Sequence, residues 1–102
     1  MAKTINITDR LTNDKPKIVI NEKEYVVNDS MLTVLKFEEL ARNNTIESLR
    51  EAIKVAIGED AYNEINVDNL SFNDFKVLII AIMAAMQNIE YEDADARFRN
   101  IT

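Results

Sequence analysis

Three adjacent carboxylate pairs, Glu38-Glu39, Glu59-Asp60 and Glu92-Asp93, a run of oxygen-bearing side chains from Asp68 to Asp74, and the pair Asp29-Ser30 are the residues with chemistry to offer. Paired carboxylates can share a proton in acid and base work, clustered oxygens can hold a cation, and a serine can attack or carry a group. Spacing argues against the first two. Neighbours on a helix point about 100° apart, so adjacent acids face away from any common proton and read as solvated charge. Asp68-Asn69-Leu70-Ser71-Phe72-Asn73-Asp74 lacks the glycine and the terminal glutamate that a calcium loop requires. The 102 residues include no Cys and no His, so there is no thiol or imidazole nucleophile, no structural zinc set and no disulfide framework. A single glycine cannot make a phosphate-cradling loop. The expectation is a protein that is not an enzyme and uses no cofactor and no metal.

These residues must be carried by one domain spanning 1–102, because the length allows a modest core but not two. A hydrophobic fraction of 47% is enough to fold it. Net charge is −6, unevenly spread: from Glu59 to Asp95 nine acids face only Lys76, giving −8 and leaving +2 elsewhere. Nucleic-acid binding needs Lys and Arg gathered on one face, so DNA and RNA are not expected partners. The acidic stretch reads either as a solvated face or as a surface for a basic partner or the basic end of a neighbouring copy. Met1 to Arg10 lacks the apolar core of a signal peptide. The longest apolar run, Val77 to Met86, has ten residues where a membrane span needs about 20. A soluble, cytoplasmic protein is expected.

The fold class expected is α+β, mainly α: an N-terminal two-stranded β-hairpin followed by four to five helices. Residues 1–15 form a leader with an apolar alternation at Ile5 and Ile7, then Asp9 to Asn13 as one helical turn or irregular chain. The hairpin occupies 16–28, with Lys17-Ile-Val-Ile20 and Glu24-Tyr-Val-Val27 as strands joined by Asn21-Glu22-Lys23. Residues 29–102 are helical. Asp29 or Ser30 caps a helix ending at Asn43-Asn44, and Thr45 caps a second whose apolar residues run from Ile46 to Ile57. Gly58 stands where a helix ends with positive φ. Glu59 to Ile65 is a short helix, and Ser71 with Asp74 resembles a capping box.

The helix from Ser71 to Asn88 is central. Phe72, Phe75, Ile79, Ile82, Met83 and Met86 form one stripe, and Val77, Leu78, Ile80, Ala81, Ala84 and Ala85 cover most of the rest. A helix apolar all round must be covered all round. Either the hairpin and the other helices cover it, or one flank packs on another subunit or a client segment. The last helix, with Tyr91, Ala94, Phe98 and Ile101 on one side, could dock back or reach a partner.

Two resemblances bear on function. Asp29-Ser30-Met31, followed by Val34, Leu35 and Leu40, resembles the start of the recognition helix in acyl carrier proteins. That resemblance implies a phosphopantetheine arm on Ser30. Such a protein would have a helix and a long loop upstream, whereas a β-ribbon ends just before Asp29, and any N-cap would choose Asp-Ser. The second resemblance spans most of the chain. The polar leader, the Lys17 to Val27 ribbon, the Asn-Asp-Ser-Met entry to the helices, and Leu70-Ser-Phe-Asn-Asp-Phe-Lys-Val-Leu-Ile-Ile-Ala-Ile-Met-Ala-Ala-Met86 with Glu90-Tyr-Glu92 resemble the tail assembly chaperones of long-tailed phages and prophages of Gram-positive bacteria. It implies binding to the tape measure protein in the host bacterial cytoplasm, keeping it soluble while the tail tube protein polymerises, and departure before the virion is finished. It also implies self-association and, often, a longer form made by frameshifting. With this reading the expected contacts are Phe75, Ile79, Ile82, Met83, Met86 and Phe98, rimmed by acids. Another small acidic protein-interaction domain is the remaining alternative.

Overall fold

Asn21 and Glu22 both take positive φ, 51° and 69°, which is the two-residue turn whose twist matches that of paired strands. They join β1 (Lys17–Ile20) to β2 (Lys23–Val26), antiparallel, with Ile18 opposite Tyr25 and Ile20 opposite Lys23. The second strand therefore starts one residue earlier than the three-residue connection predicts. The shift sets which side chains go inward: Ile18, Ile20 and Tyr25 share the face toward the core, while Val19 and Val26 lie on the exposed face. The structure, a computed structural model, describes residues 2–11 and 14–101, the side chain of Ile101 excepted. Ahead of the hairpin, Thr8–Arg10 makes one 3-10 turn, and residues 12 and 13 of the expected Asp9 to Asn13 turn fall outside the described residues.

Five α-helices follow: α1 (Met31–Asn43), α2 (Ile46–Ile57), α3 (Glu59–Ile65), α4 (Phe72–Gln87) and α5 (Tyr91–Ile101), with a 3-10 turn at Val67–Asn69 between α3 and α4. The starts of α1, α2 and α4 are capped by hydroxyls. Ser30 Oγ accepts from the Thr33 N–H at 3.3 Å, Thr45 Oγ1 from Ser48 at 3.0 Å, and Ser71 Oγ from Asp74 at 3.1 Å. The reciprocal bond expected of Asp74 does not form; the complete capping box is Thr45 with Ser48. Asp74 still serves as a carboxylate in the first turn, where the helix dipole favours it. Asn44, Asn66 and Asn88 end α1, α3 and α4 in the left-handed conformation, the non-glycine residue best suited to it in a chain with one glycine. That glycine, Gly58, has φ 89° and serves α2 and α3 at once.

α4 is the axis of the core. α2, α5 and β1 pack on it, and α1 pairs with α2. α5 turns away from α4 by 111° and lays Ala94 and Phe98 into the core. The strand end is stitched to the helices: the Val27 N–H donates to the Pro16 carbonyl and the Asn28 N–H to the Ala56 carbonyl, both at 2.8 Å. Lys23 pairs with Glu64, tying β2 to α3. A two-stranded ribbon is marginal alone, and here Ile18 and Val27 anchor it in the shared core. The chain is elongated, 59 × 30 × 23 Å with a radius of gyration of 15.4 Å, where a compact 100-residue domain has about 13 Å.

Removing buried methyl groups at the centre of α4 should therefore be costly. Ile79 is fully buried, and Ile79→Ala is expected to destabilise the protein by about 2–5 kcal/mol in urea unfolding. Ser30→Ala is expected to cost about 1 kcal/mol through the lost cap.

Candidate functional site

All six residues expected to touch a partner, Phe75, Ile79, Ile82, Met83, Met86 and Phe98, lie in the interior, none more than 7% exposed. They are core, not contact surface, in this conformation. The physical reason is the coverage just described: α2, α5 and the hairpin close around the stripe that these residues form. Of the two readings of the Ser71 to Asn88 helix, self-coverage accounts for most of its circumference.

The part left uncovered is a different arc. Phe72, in the first turn of α4, is 64% exposed, and Val77, five residues on, is 44% exposed. They wall a groove of about 380 Å³ between α2, α4 and α5, floored by Leu49, Ile80 and Phe98 and flanked by Tyr91. Its rim is polar: Asn44, Asn73, Lys76, and Asp95 paired with Arg99 at 2.9 Å. Beyond Phe72 lies a second hollow of about 410 Å³, lined by Ile46, Val67, Leu70 and Phe75. Phe72 is thus an apolar ridge between two apolar hollows, with Lys76 Nζ 5.7 Å from its ring centre. Ile46, exposed on α2, extends the same strip. The sequence pattern placed Phe72 on the stripe of α4 but gave no means of telling which arc would face water.

One edge of this strip is bordered by a side-chain network that sequence reading missed. Arg50 on α2 donates from Nε to the Tyr62 hydroxyl and to Asp68 Oδ1, each at 2.9 Å, and from Nη2 to Asp68 Oδ2 at 3.2 Å. The Tyr62 hydroxyl in turn donates to Asp68 Oδ1. Lys54 Nζ sits 4.9 Å from the Tyr62 ring centre. Three elements, α2, α3 and the 3-10 turn, are fixed by three residues 6 to 18 positions apart. No short-range signal marks such a set. The bonds from Tyr62 and Arg50 hold the Asp68 carboxyl below the usual carboxylate range, while burial, then the bond to Asp68, raises the Tyr62 hydroxyl.

The remaining chemical candidates have structural employment. Glu38 accepts from Gln87 Nε2 at 3.1 Å, and Arg97 donates to Gln87 Oε1 at 2.7 Å, a relay joining α1, α4 and α5. Glu59 and Asp60 open α3, and Glu92 and Asp93 open α5. Much of the acidic block from Glu59 to Asp95 is therefore placed where helix N-termini favour negative charge. Ser30 Oγ, exposed, accepts the Thr33 N–H and donates to Thr33 Oγ1 at 2.9 Å. Among the described residues no three His, Cys, Asp or Glu side chains converge as a metal site, and no single helix is long and apolar enough to cross a membrane. What the arrangement presents is an exposed apolar strip bordered by the hydrogen-bonded Arg50, Tyr62 and Asp68 corner.

Comparison with models of protein families, with curated proteins and with solved structures finds no match to this chain.

The Asp68 carboxyl titrates lower in the folded than in the unfolded chain, so its contribution is complete above the ordinary carboxylate value of 3.8 and is lost as pH falls through the lowered one. Asp68→Asn is expected to lower the thermal midpoint at neutral pH, and the gap to the unsubstituted protein is expected to close in acid.

Proposed function

We propose that this protein is a non-catalytic assembly chaperone of a long-tailed phage or prophage, which binds apolar helical segments of the tape measure protein in the host cytoplasm and keeps them soluble while the tail tube forms. The observation that carries the proposal is exposed Phe72, standing between two hollows with part-apolar linings, with exposed Val77 walling the first of them. Helix-in-groove recognition needs an apolar trough with a polar rim, which this groove supplies. The sequence resemblance suggests the client, and the exposed apolar strip supports a surface for it. The contact is assigned to Ile46, Phe72, Val77 and Tyr91 with the floor beneath them, replacing the buried residues expected from the helical stripe. An exposed aromatic ridge with a cation at its side also suits a holdase, since it can release its client without exposing the core. The same positions would be idle in an acyl carrier, whose chemistry would have to run through Ser30.

Phe72→Asp with Val77→Asp alters two exposed positions and should leave the fold intact. In calorimetric titration with tape measure fragments, the double variant is expected to bind at least about tenfold more weakly, a loss of about 1.4 kcal/mol. Unchanged affinity in a folded double variant would overturn the assignment. Charges at Ile79 or Met83 would not test it, because those side chains are 0% and 1% exposed and their replacement would unfold the core.

A further inference from the structure

Thr4-Ile5-Asn6-Ile7-Thr8 alternates polar and apolar, and four of its five residues are β-branched, the pattern of a half-buried strand. The structure gives it no sheet. Residues 2–7 belong to no helix or strand, every one is exposed, and Ile5 and Ile7 are 71% and 50% exposed.

A place for such a strand exists on the body. The two-residue turn makes Ile20 and Lys23 a hydrogen-bonded pair, and the Val27 N–H to Pro16 carbonyl bond puts Pro16 and Val27 on the same alternation. The backbone groups of Lys17 and Val19 therefore point outward from the edge of β1. Beside that edge lies a hollow of about 400 Å³ lined by Pro16, Ile18, Ala81, Ala84, Ala85 and Ile89. The three alanines are half-buried, the flank of α4 that the hairpin only partly covers. Small side chains there leave room for larger ones to enter from above.

We infer that residues 4–8 of one copy add to the β1 edge of a second copy as a third strand, with Ile5 and Ile7 seated over Ala81, Ala84 and Ala85. Five extended residues run about 17 Å, enough to cover a four-residue β1. Ile5 and Ile7, two apart, fall on one face, and Thr4, Asn6 and Thr8 stay in solvent. Three strands on a helix make a stable sheet where two are marginal. Charge favours the match: the arm carries Lys3 and Arg10 against Asp9, and the alanine flank belongs to the segment of net −8. A second copy is the occupant because the arm finds no cover on its own body, where residues 2–7 are all exposed, while its net positive charge complements the acidic segment that holds the slot. Strand addition of this kind uses main-chain bonds for affinity and alternate side chains for register. It stands whatever the client of the groove proves to be.

The test is solution mass of the full chain by sedimentation equilibrium over a wide concentration range, for the unsubstituted protein and for Ile5→Asp with Ile7→Asp. Both isoleucines are exposed, so the double variant should keep its helical circular dichroism and, at dilutions where both proteins are single chains, the melting temperature of the unsubstituted protein. The unsubstituted protein is expected at twice the 11.7 kDa chain mass or more, with the share rising with concentration, and the double variant at the mass of one chain. Ala84→Glu, on the receiving side, is expected to give a single-chain mass too, and mixing the two variants should restore a two-chain species through the one intact arm and the one intact slot. A monomeric unsubstituted protein, or a double variant with unchanged mass, overturns the inference. So does a double variant that melts earlier at unchanged mass, since that result places the arm on its own body.

Discussion

Every other element answers to the need to cover α4. Twelve of its sixteen residues are apolar and spread around nearly the whole circumference, so most of its surface must be kept from water by a chain with few elements to surround it. α2 and α5 take two sides, the hairpin leans on a third through Ile18 and Val27, and α1 braces α2 from outside. The short loops between α1, α2 and α3 follow from this, as do the left-handed asparagines that turn the chain sharply after α1, α3 and α4. Where coverage gives out, the molecule has its two apolar openings: the Phe72 and Val77 arc, and the alanine flank beside β1.

The polar side chains serve the same arrangement. Arg50, Tyr62 and Asp68 lock the α2, α3 and 3-10 corner; Glu38, Gln87 and Arg97 clamp the far end of α4 to α1 and α5. Each set is at the margin of the core, where water screens it, so its value lies more in fixing geometry than in net stability. Together the two sets tie α1, α2, α3, α4 and α5 to one another through side chains as well as through the core.

The candidate site was only half legible. Phe72 and Val77 could be seen as part of an over-apolar helix, yet so could Phe75, Ile79, Ile82, Met83, Met86 and Phe98, which the fold buries. Periodicity reports that a residue is apolar and which neighbours share its face; it does not report which face another element will cover. The Arg50, Tyr62 and Asp68 set was invisible for a related reason. Its members are far apart in the chain, and each taken singly is an ordinary surface residue type for its helix or turn.

Local chemistry, by contrast, was written plainly in the chain. Ser30, Thr45 and Ser71 start helices, Asn44 and Gly58 end them, β-branched runs form the ribbon, and the ends of α4 fall beside Ser71 and Asn88. These follow from backbone hydrogen bonding and side-chain shape within a few residues, so the sequence by itself determined them, along with the absence of thiol and imidazole chemistry. The one-residue register of β2, the docking of α5, and the choice of which arc of α4 stays open were decided only by tertiary structure. Each depends on contacts between segments distant in sequence, where packing and coverage select among arrangements that local propensity leaves equal.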